Sequence, residues 1–229
     1  MSETAVFHRL PVPVVVLVAV IAGVEAVLQL GLRGMIGGPQ AVGWRLEAIT
    51  AVGFSDPLFE HMRTTGAVRP DGIWRMLSYW IVHLGPMHAL LGAVLLLALG
   101  KAVSERFSTW SMLAVLAAGS VGGALAYSLA QSSPALLVGV YPAVYGLIGA
   151  YTWALWSGSS GHHRVMAFRL VGLLIGLQIL FRLLFGGGNE WMADLGGFLA
   201  GFAVAWLVAP GGRDRLRRLR ERARDAGRS

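Results

Sequence analysis

The stretch that decides the fold is "VGVYPAVYGLIGAY", residues 138–151. Gly139 and Gly146 stand two helical turns apart, so both fall on one helix face and let a second backbone approach closely. Tyr141 and Pro142 lie between them. Proline lacks an N–H and holds φ at about −65°, which suits the first turn of a helix. A helix therefore starts near Tyr141 and continues through an apolar run. What that helix packs against, and whether position 141 carries chemistry, depends on the rest of the chain.

The chain has 229 residues, 55% of them hydrophobic and only 14% charged, with a mean hydropathy of +0.63. A soluble domain carries about 25% charged residues, so the composition is that of an integral membrane protein. Apolar runs near the ~20 residues that span a bilayer occur at 13–33, 76–100, 109–131, 137–157, 168–186 and 191–209. Outside this 13–209 membrane domain lie an N-terminal segment 1–12 and a tail 210–229; within it, 34–75 forms a long loop. No separate soluble catalytic domain fits, so any chemistry sits in the bundle. The first run has no small-residue cleavage site after it and is expected to stay as a helix. Cysteine is absent, which excludes disulfides, thiolate metal sites and cysteine nucleophiles.

The formal charge of +7 is local rather than a nucleic-acid signal, since eight of the nineteen basic residues fall in the last seventeen. Lys101 and Arg106 follow the second run, Arg164 and Arg169 the fourth, and the arginine tail the sixth, whereas 132–136 and 186–190 carry no basic residue. By the positive-inside rule both termini are expected on the cytoplasmic side and 34–75 on the outside. Arginine outnumbers lysine eighteen to one, and alanine and glycine abound, which points to a GC-rich bacterial genome and hence an inner membrane. In the tail, Arg213, Arg215, Arg217, Arg218, Arg220, Arg222 and Arg224 surround a narrow stripe of Leu216, Leu219, Ala223 and Ala226. This reads first as an anchor on anionic lipid and second as a partner-binding helix. In the loop, Trp44, Ile49 and Val52 have helical spacing, and Asp56 followed by Pro57 begins like a capped turn. Short helices lying on or dipping into the outer leaflet are expected there, with Trp44, Phe54 and Phe59 at the interface.

Three segments belong together. "WRMLSYWIVHLGPMHALLG" carries Trp74, Arg75, His83, His88 and Gly92; the opening stretch carries Gly139, Tyr141, Pro142 and Gly146; "ADLGGFLAG" carries Asp194, Gly197 and Gly201. In order and spacing this resembles the rhomboid family of intramembrane serine proteases, over essentially the whole chain. The resemblance implies an all-α polytopic bundle of six transmembrane helices with a partly membrane-embedded outer loop. It also implies that the nucleophile position is Tyr141, the general-base position Asp194, and the oxyanion pair His88 and Gly92. The family carries serine, histidine and, in the last place, asparagine at the positions that here hold Tyr141, Asp194 and Gly92. The glycine expected after the nucleophile is Pro142, and a glutamate often found beyond the second span falls on Ser104, beside Glu105.

Those departures fall on the chemistry. Hydrolysis by that route needs a hydroxyl nucleophile, a neutral imidazole and oxyanion donors. A phenolate is a poor initiator of amide attack, a carboxylate is a far weaker base than imidazole at neutral pH, and Gly92 and Pro142 supply no donor. A catalytically inactive member is expected, a pseudoprotease that binds other membrane proteins or their transmembrane segments in quality control, assembly or a membrane complex. The alternative is an active protease in which Ser128, Ser132 or Ser133 reaches His83 or His88; the next is a transporter or lipid scramblase, for which Ser120, Ser128 and Thr152 give the third and fourth runs few polar residues. Gly139, Gly146, Gly197 and Gly201 read as helix-packing residues. Tyr141 and Asp194 are expected either to form a structural clasp, the phenol donating to the carboxylate, or to lie apart, with Asp194 in a water-filled pocket and Tyr141 against the outer loop. His83 and His88 read as scaffold residues held by hydrogen bonds, with Trp74 and Arg75; Asp194 is their sole candidate third partner for zinc, and no metal or cofactor is expected. His162 and His163 read as solvated. Arg182 can snorkel, while Glu25, within the first run, needs a polar neighbour that the sequence does not name. Membrane lipid is the expected surrounding and nucleic acid is not an expected partner.

Overall fold

The computed structural model describes residues 10–129, 136–158, 160, 162–185, 188–209 and 221, with the side chains of 162, 163, 177, 181, 182 and 185 left out. The tail arginines, Ser132, Ser133 and the side chains of His162, His163 and Arg182 therefore lie outside the described residues. Ten α-helices occur among the described residues, and no strand beyond one isolated bridge between Phe54 and Leu137. Four of them are long and apolar enough to cross a membrane: α1 (Val12–Leu32), α5 (Pro86–Ser104), α6 (Thr109–Leu129) and α10 (Glu190–Val208). Helices α7 (Tyr141–Ser157) and α9 (Arg169–Phe185) have 17 residues each. That length gives about 25 Å, close to the ~30 Å hydrocarbon core, so the set is consistent with six spans. The protein is a multi-pass helical membrane protein whose exposed apolar side chains, such as Val16, Leu91, Leu173 and Leu183, contact lipid.

The connection between the first two spans is helical almost throughout. After a 3-10 turn at Pro39–Gly43 come α2 (Trp44–Val52), α3 (Asp56–Thr65) and α4 (Pro70–Ser78), then a second 3-10 turn at Tyr79–Ile81. The expected short helices are present, with two corrections. The cap of α3 is Ser55, whose hydroxyl accepts from the Leu58 N–H, and Asp56 is the first helical residue. The second span does not run from 76 to 100: it starts at Pro86, and Trp74 and Arg75 belong to a separate helix. Proline disfavours a helical conformation in the residue before it. Gly85 is accordingly fully extended and Val82 lies in the β region, which breaks the apolar run at 82–85. Trp44 lies against the end of α1, where a Cβ on Gly31 would come within 2.8 Å of its ring. Two exposed ion pairs, Arg63–Glu60 at 2.7 Å and Arg69–Asp71 at 3.0 Å, hold these carboxyls below the ordinary carboxylate range; solvent screening leaves such pairs with little effect on stability.

Glu25 finds its polar neighbour in this connection. Arg45 of α2 reaches back into the first span and pairs with both carboxylate oxygens, at 2.6 and 3.0 Å, while Gln29, one turn on, donates at 3.0 Å. The same guanidinium donates to the His83 carbonyl at 2.7 Å. One part-buried guanidinium thereby joins the first span, the connecting helices and the segment before α5.

Helix α7 is the centre of the bundle. Every residue from Pro142 to Ala150 is buried, as a helix apolar on all sides must be. In lipid no hydrophobic drive brings helices together, so close backbone packing has to do it. A Cβ on Gly146 would lie 3.0 Å from Gly119 of α6, one on Gly119 would lie 2.9 Å from the Pro142 oxygen, and those on Gly197 and Gly201 of α10 would strike the carbonyls of Pro142 and Gly146. Gly146, Gly197 and Gly201, three of the four glycines read as packing residues, thus join α6, α7 and α10 together with Gly119; Gly139 lies before α7 and does not share its packing face.

Candidate functional site

The site is built at the end of the bundle where α7 and α10 begin, and the connecting helices hold it. Arg75 of α4 donates to the Gly53 carbonyl at 2.7 Å and Ser78 to the Val52 carbonyl at 2.9 Å, which ties α4 to the end of α2. Phe54 and Leu137 exchange both backbone hydrogen bonds at 3.0 Å. Tyr79, fully buried, donates its hydroxyl to the Ser120 carbonyl at 2.8 Å and accepts the Gly139 N–H at its own carbonyl at 2.9 Å. Trp74 is 48% exposed and points away from these contacts. The chain then turns at Gly139, whose φ of +101° favours glycine and whose missing Cβ leaves room for the His88 ring, 2.8 Å from where it would stand.

His83 is 1% exposed, and its Nε2 accepts the Val140 N–H at 3.3 Å. Accepting there places the ring proton on Nδ1. His88 accepts the Leu84 N–H at Nδ1, also at 3.3 Å. The two imidazoles meet edge to face with centroids 5.3 Å apart. Both histidines are thus fixed by backbone hydrogen bonds.

Tyr141 is the first residue of α7 and Pro142 the second. The phenol ring stacks on His88 at 4.6 Å with an interplanar angle of 11°, and its hydroxyl donates to the His88 carbonyl at 3.0 Å. Gly92 faces the same place: a Cβ there would lie 2.8 Å from Val140 Cγ1, 3.3 Å from His83 Nε2 and 3.6 Å from Tyr141 Cε2. The volume that a side chain at 92 would take is filled by Val140 and bordered by His83, with the Tyr141 ring in ordinary contact beside it.

Asp194, in α10, is 4% exposed. Its carboxylate accepts from Gln178 Nε2 of α9 at 2.6 Å, and the same amide nitrogen donates to the Tyr145 hydroxyl at 3.0 Å. The expected clasp between Tyr141 and Asp194 is therefore not formed, because the phenol turns toward α5 and the carboxylate is covered by Gln178. The other expectation fails as well, since Tyr141 lies on His88 and Asp194 lies beneath an amide. Zinc has no set of ligands here: among the described residues no group of three His, Cys, Asp or Glu converges. Ser128 lines a cavity of about 460 Å³ with Phe59, Glu60, Arg63, Leu125 and Leu129, and neither histidine borders it.

Gln178, Tyr145 and Arg45 were missed by sequence reasoning. A glutamine in the middle of the apolar run "LIGLQILF" is the signal for the first, since a lone amide in a span needs a partner. An arginine twenty residues after Glu25 gave no comparable local pattern.

The Rhomboid domain model matches residues 70–211. The chain is 26% identical to rhomboid protease GluP of Bacillus subtilis (strain 168) over 135 residues, which cover 58% of this chain and 25% of the relative. The match thus spans a quarter of that relative's length.

Proposed function

The chain belongs to the rhomboid family, and from that premise we propose that it is a non-catalytic member that binds the transmembrane segments of other membrane proteins. The observation that carries this reading is the separation of the two positions on which the family's chemistry falls. The Tyr141 hydroxyl is committed to the His88 carbonyl and the Asp194 carboxylate to Gln178. A serine-type mechanism needs a hydroxyl on a base and donors aimed at the developing oxyanion. Here no base meets the hydroxyl, the Val140 N–H is taken by His83, Pro142 has none, and Gly92 adds no donor. Loss of members of such a unit costs several orders of magnitude in rate.

A partner helix has surface to meet. Helix α5 exposes Met87, Leu90, Leu91 and Val94, and α9 exposes Leu173, Leu180, Leu183 and Leu184. The family resemblance implies a lateral opening between these two spans, and a binding role in quality control, assembly or a membrane complex uses that opening without hydrolysis. We place the chain in a bacterial inner membrane with both termini cytoplasmic and the arginine tail on anionic lipid.

The rival reading is an active protease, and the name of the Bacillus subtilis relative favours it. A serine-directed fluorophosphonate probe separates the two. The pseudoprotease stays unlabelled, whereas stoichiometric labelling at one serine overturns the reading. Purification from native membranes in mild detergent then sorts the role: one stoichiometric complex marks a subunit or assembly factor, and many substoichiometric single-span proteins mark a client binder.

A further inference from the structure

The polar cluster where α7, α9 and α10 meet is short of donors. A carboxylate offers about four acceptor positions, and Asp194, 4% exposed, has a single donor group among the described residues, the Gln178 amide. Gln178 Oε1 is buried with no partner among them. Tyr145 adds a hydroxyl that accepts from the same amide nitrogen and brings one proton of its own, fewer than the acceptor positions left over. Among the described residues no basic side chain pairs with the carboxylate. Ionisable groups within a membrane are costly and commonly pair with one another, so among the described residues this cluster has an acceptor surplus whose complement is a cation.

The group that covers Asp194 sits on a lightly held helix. A Cβ on Gly172 or Gly176 of α9 would meet nothing within 4 Å, and Leu173, Leu183 and Leu184 are 69, 78 and 65% exposed. Gln178 can therefore leave the carboxylate with few packing contacts to break.

We propose that Asp194 and Gln178 form a recognition site for a basic side chain, lysine or arginine, carried by the transmembrane segment of a partner, with the Gln178 amide holding the cation's place until it arrives. The inference rests on the client-binding reading above and names the partner's chemistry. An ammonium or guanidinium satisfies the carboxylate and the orphan Gln178 Oε1 together. Asp194 lies four residues after Glu190, the first residue of α10, which sets it about 6 Å along the helix axis. The partner's basic residue accordingly sits about one turn inside its own span.

The test uses the full-length protein in lipid nanodiscs and fluorescent leucine-rich transmembrane peptides that carry Lys, Leu or Glu one turn in from the matching end. The Lys peptide binds about tenfold tighter than the Leu peptide, a preference of the size set by one modest ionic contact, and the Glu peptide binds no tighter than Leu. Asp194→Asn removes the preference of Lys over Leu. Equal binding of Lys and Leu peptides, a Glu preference, or a Lys preference that survives Asp194→Asn overturns the cation site alone. Failure of every peptide to bind overturns the client reading and the cation site with it. Equal binding of the Lys and Leu peptides to the unaltered protein overturns the site even where Asp194→Asn does not fold.

Discussion

The Tyr141 hydroxyl donates to the His88 carbonyl at 3.0 Å while the two rings stack at 4.6 Å. The phenol at position 141 is thereby part of the join between α7 and α5. Removing the hydroxyl alone, Tyr141→Phe, loses one hydrogen bond and about 1 kcal/mol, a fall of roughly 2–4 °C in Tm for a domain of this size. Thermal unfolding in detergent reads it, and an unchanged Tm contradicts the assignment.

The fit between Gly92 and Val140 makes their substitutions dependent on each other. Gly92→Ala overpacks the unaltered protein and lowers Tm, because its methyl would stand 2.8 Å from Val140 Cγ1 and 3.3 Å from His83 Nε2. In a Val140→Ala background part of that cost disappears, since Cγ1 is gone. A double-mutant cycle on Tm measures the coupling, and strict additivity refutes it.

Tyr141→Ser alone restores no proteolysis. Pro142, Gly92 and Asp194 are untouched, and the His83 acceptor still occupies the Val140 N–H. Cleavage of a transmembrane substrate in proteoliposomes stays at the protein-free blank; turnover above it shows that the remaining residues suffice.

The Glu25–Arg45 pair bridges the first span and α2 with side-chain exposures of 13 and 20%. Arg45→Ala leaves a part-buried carboxylate with the Gln29 amide alone and costs about 2 kcal/mol, the scale for hydrogen bonds to a charged group. Replacing both with leucine costs less than Arg45→Ala alone, because no buried charge is left behind. Unfolding midpoints of Arg45→Ala and of the double leucine variant check the order.

Two classes of glycine separate in the same assay. Gly201→Ala drives a methyl into the Gly146 carbonyl and destabilises the contact of α7 with α10, whereas Gly176→Ala on α9 meets nothing and gains helix propensity of up to about 1 kcal/mol. A similar response at both positions contradicts the packing described for them.

The spans, the helices of the long loop and the glycine seams were legible because each rests on a local pattern. Apolar run length, Pro86 at a helix start, and the seven-residue and four-residue spacing of the glycines at 139, 146, 197 and 201 are all read within a turn or two of chain. The break at 82–85 escaped because the apolar residues Val82 and Leu84 keep the run hydrophobic while Gly85 and Pro86 change the backbone alone. Partners across the bundle were hidden for a different reason. Nothing in the composition says that Gln178, rather than Tyr141, lies over Asp194, because that depends on how α9 is turned about its axis. The choice of Arg45 for Glu25 likewise depends on α2 folding back against α1.

The central claim is that transmembrane segments are bound and not cut. A photo-crosslinking amino acid placed at Leu91 of α5 and, separately, at Leu180 of α9, with Val16 of α1 as the control position, tests it in proteoliposomes with a labelled single-span protein. The account predicts crosslinked products at Leu91 and Leu180 whose mass equals this chain plus the intact single-span protein, with little at Val16. Adducts of shortened fragments, or free cleavage products accumulating with time, would contradict it.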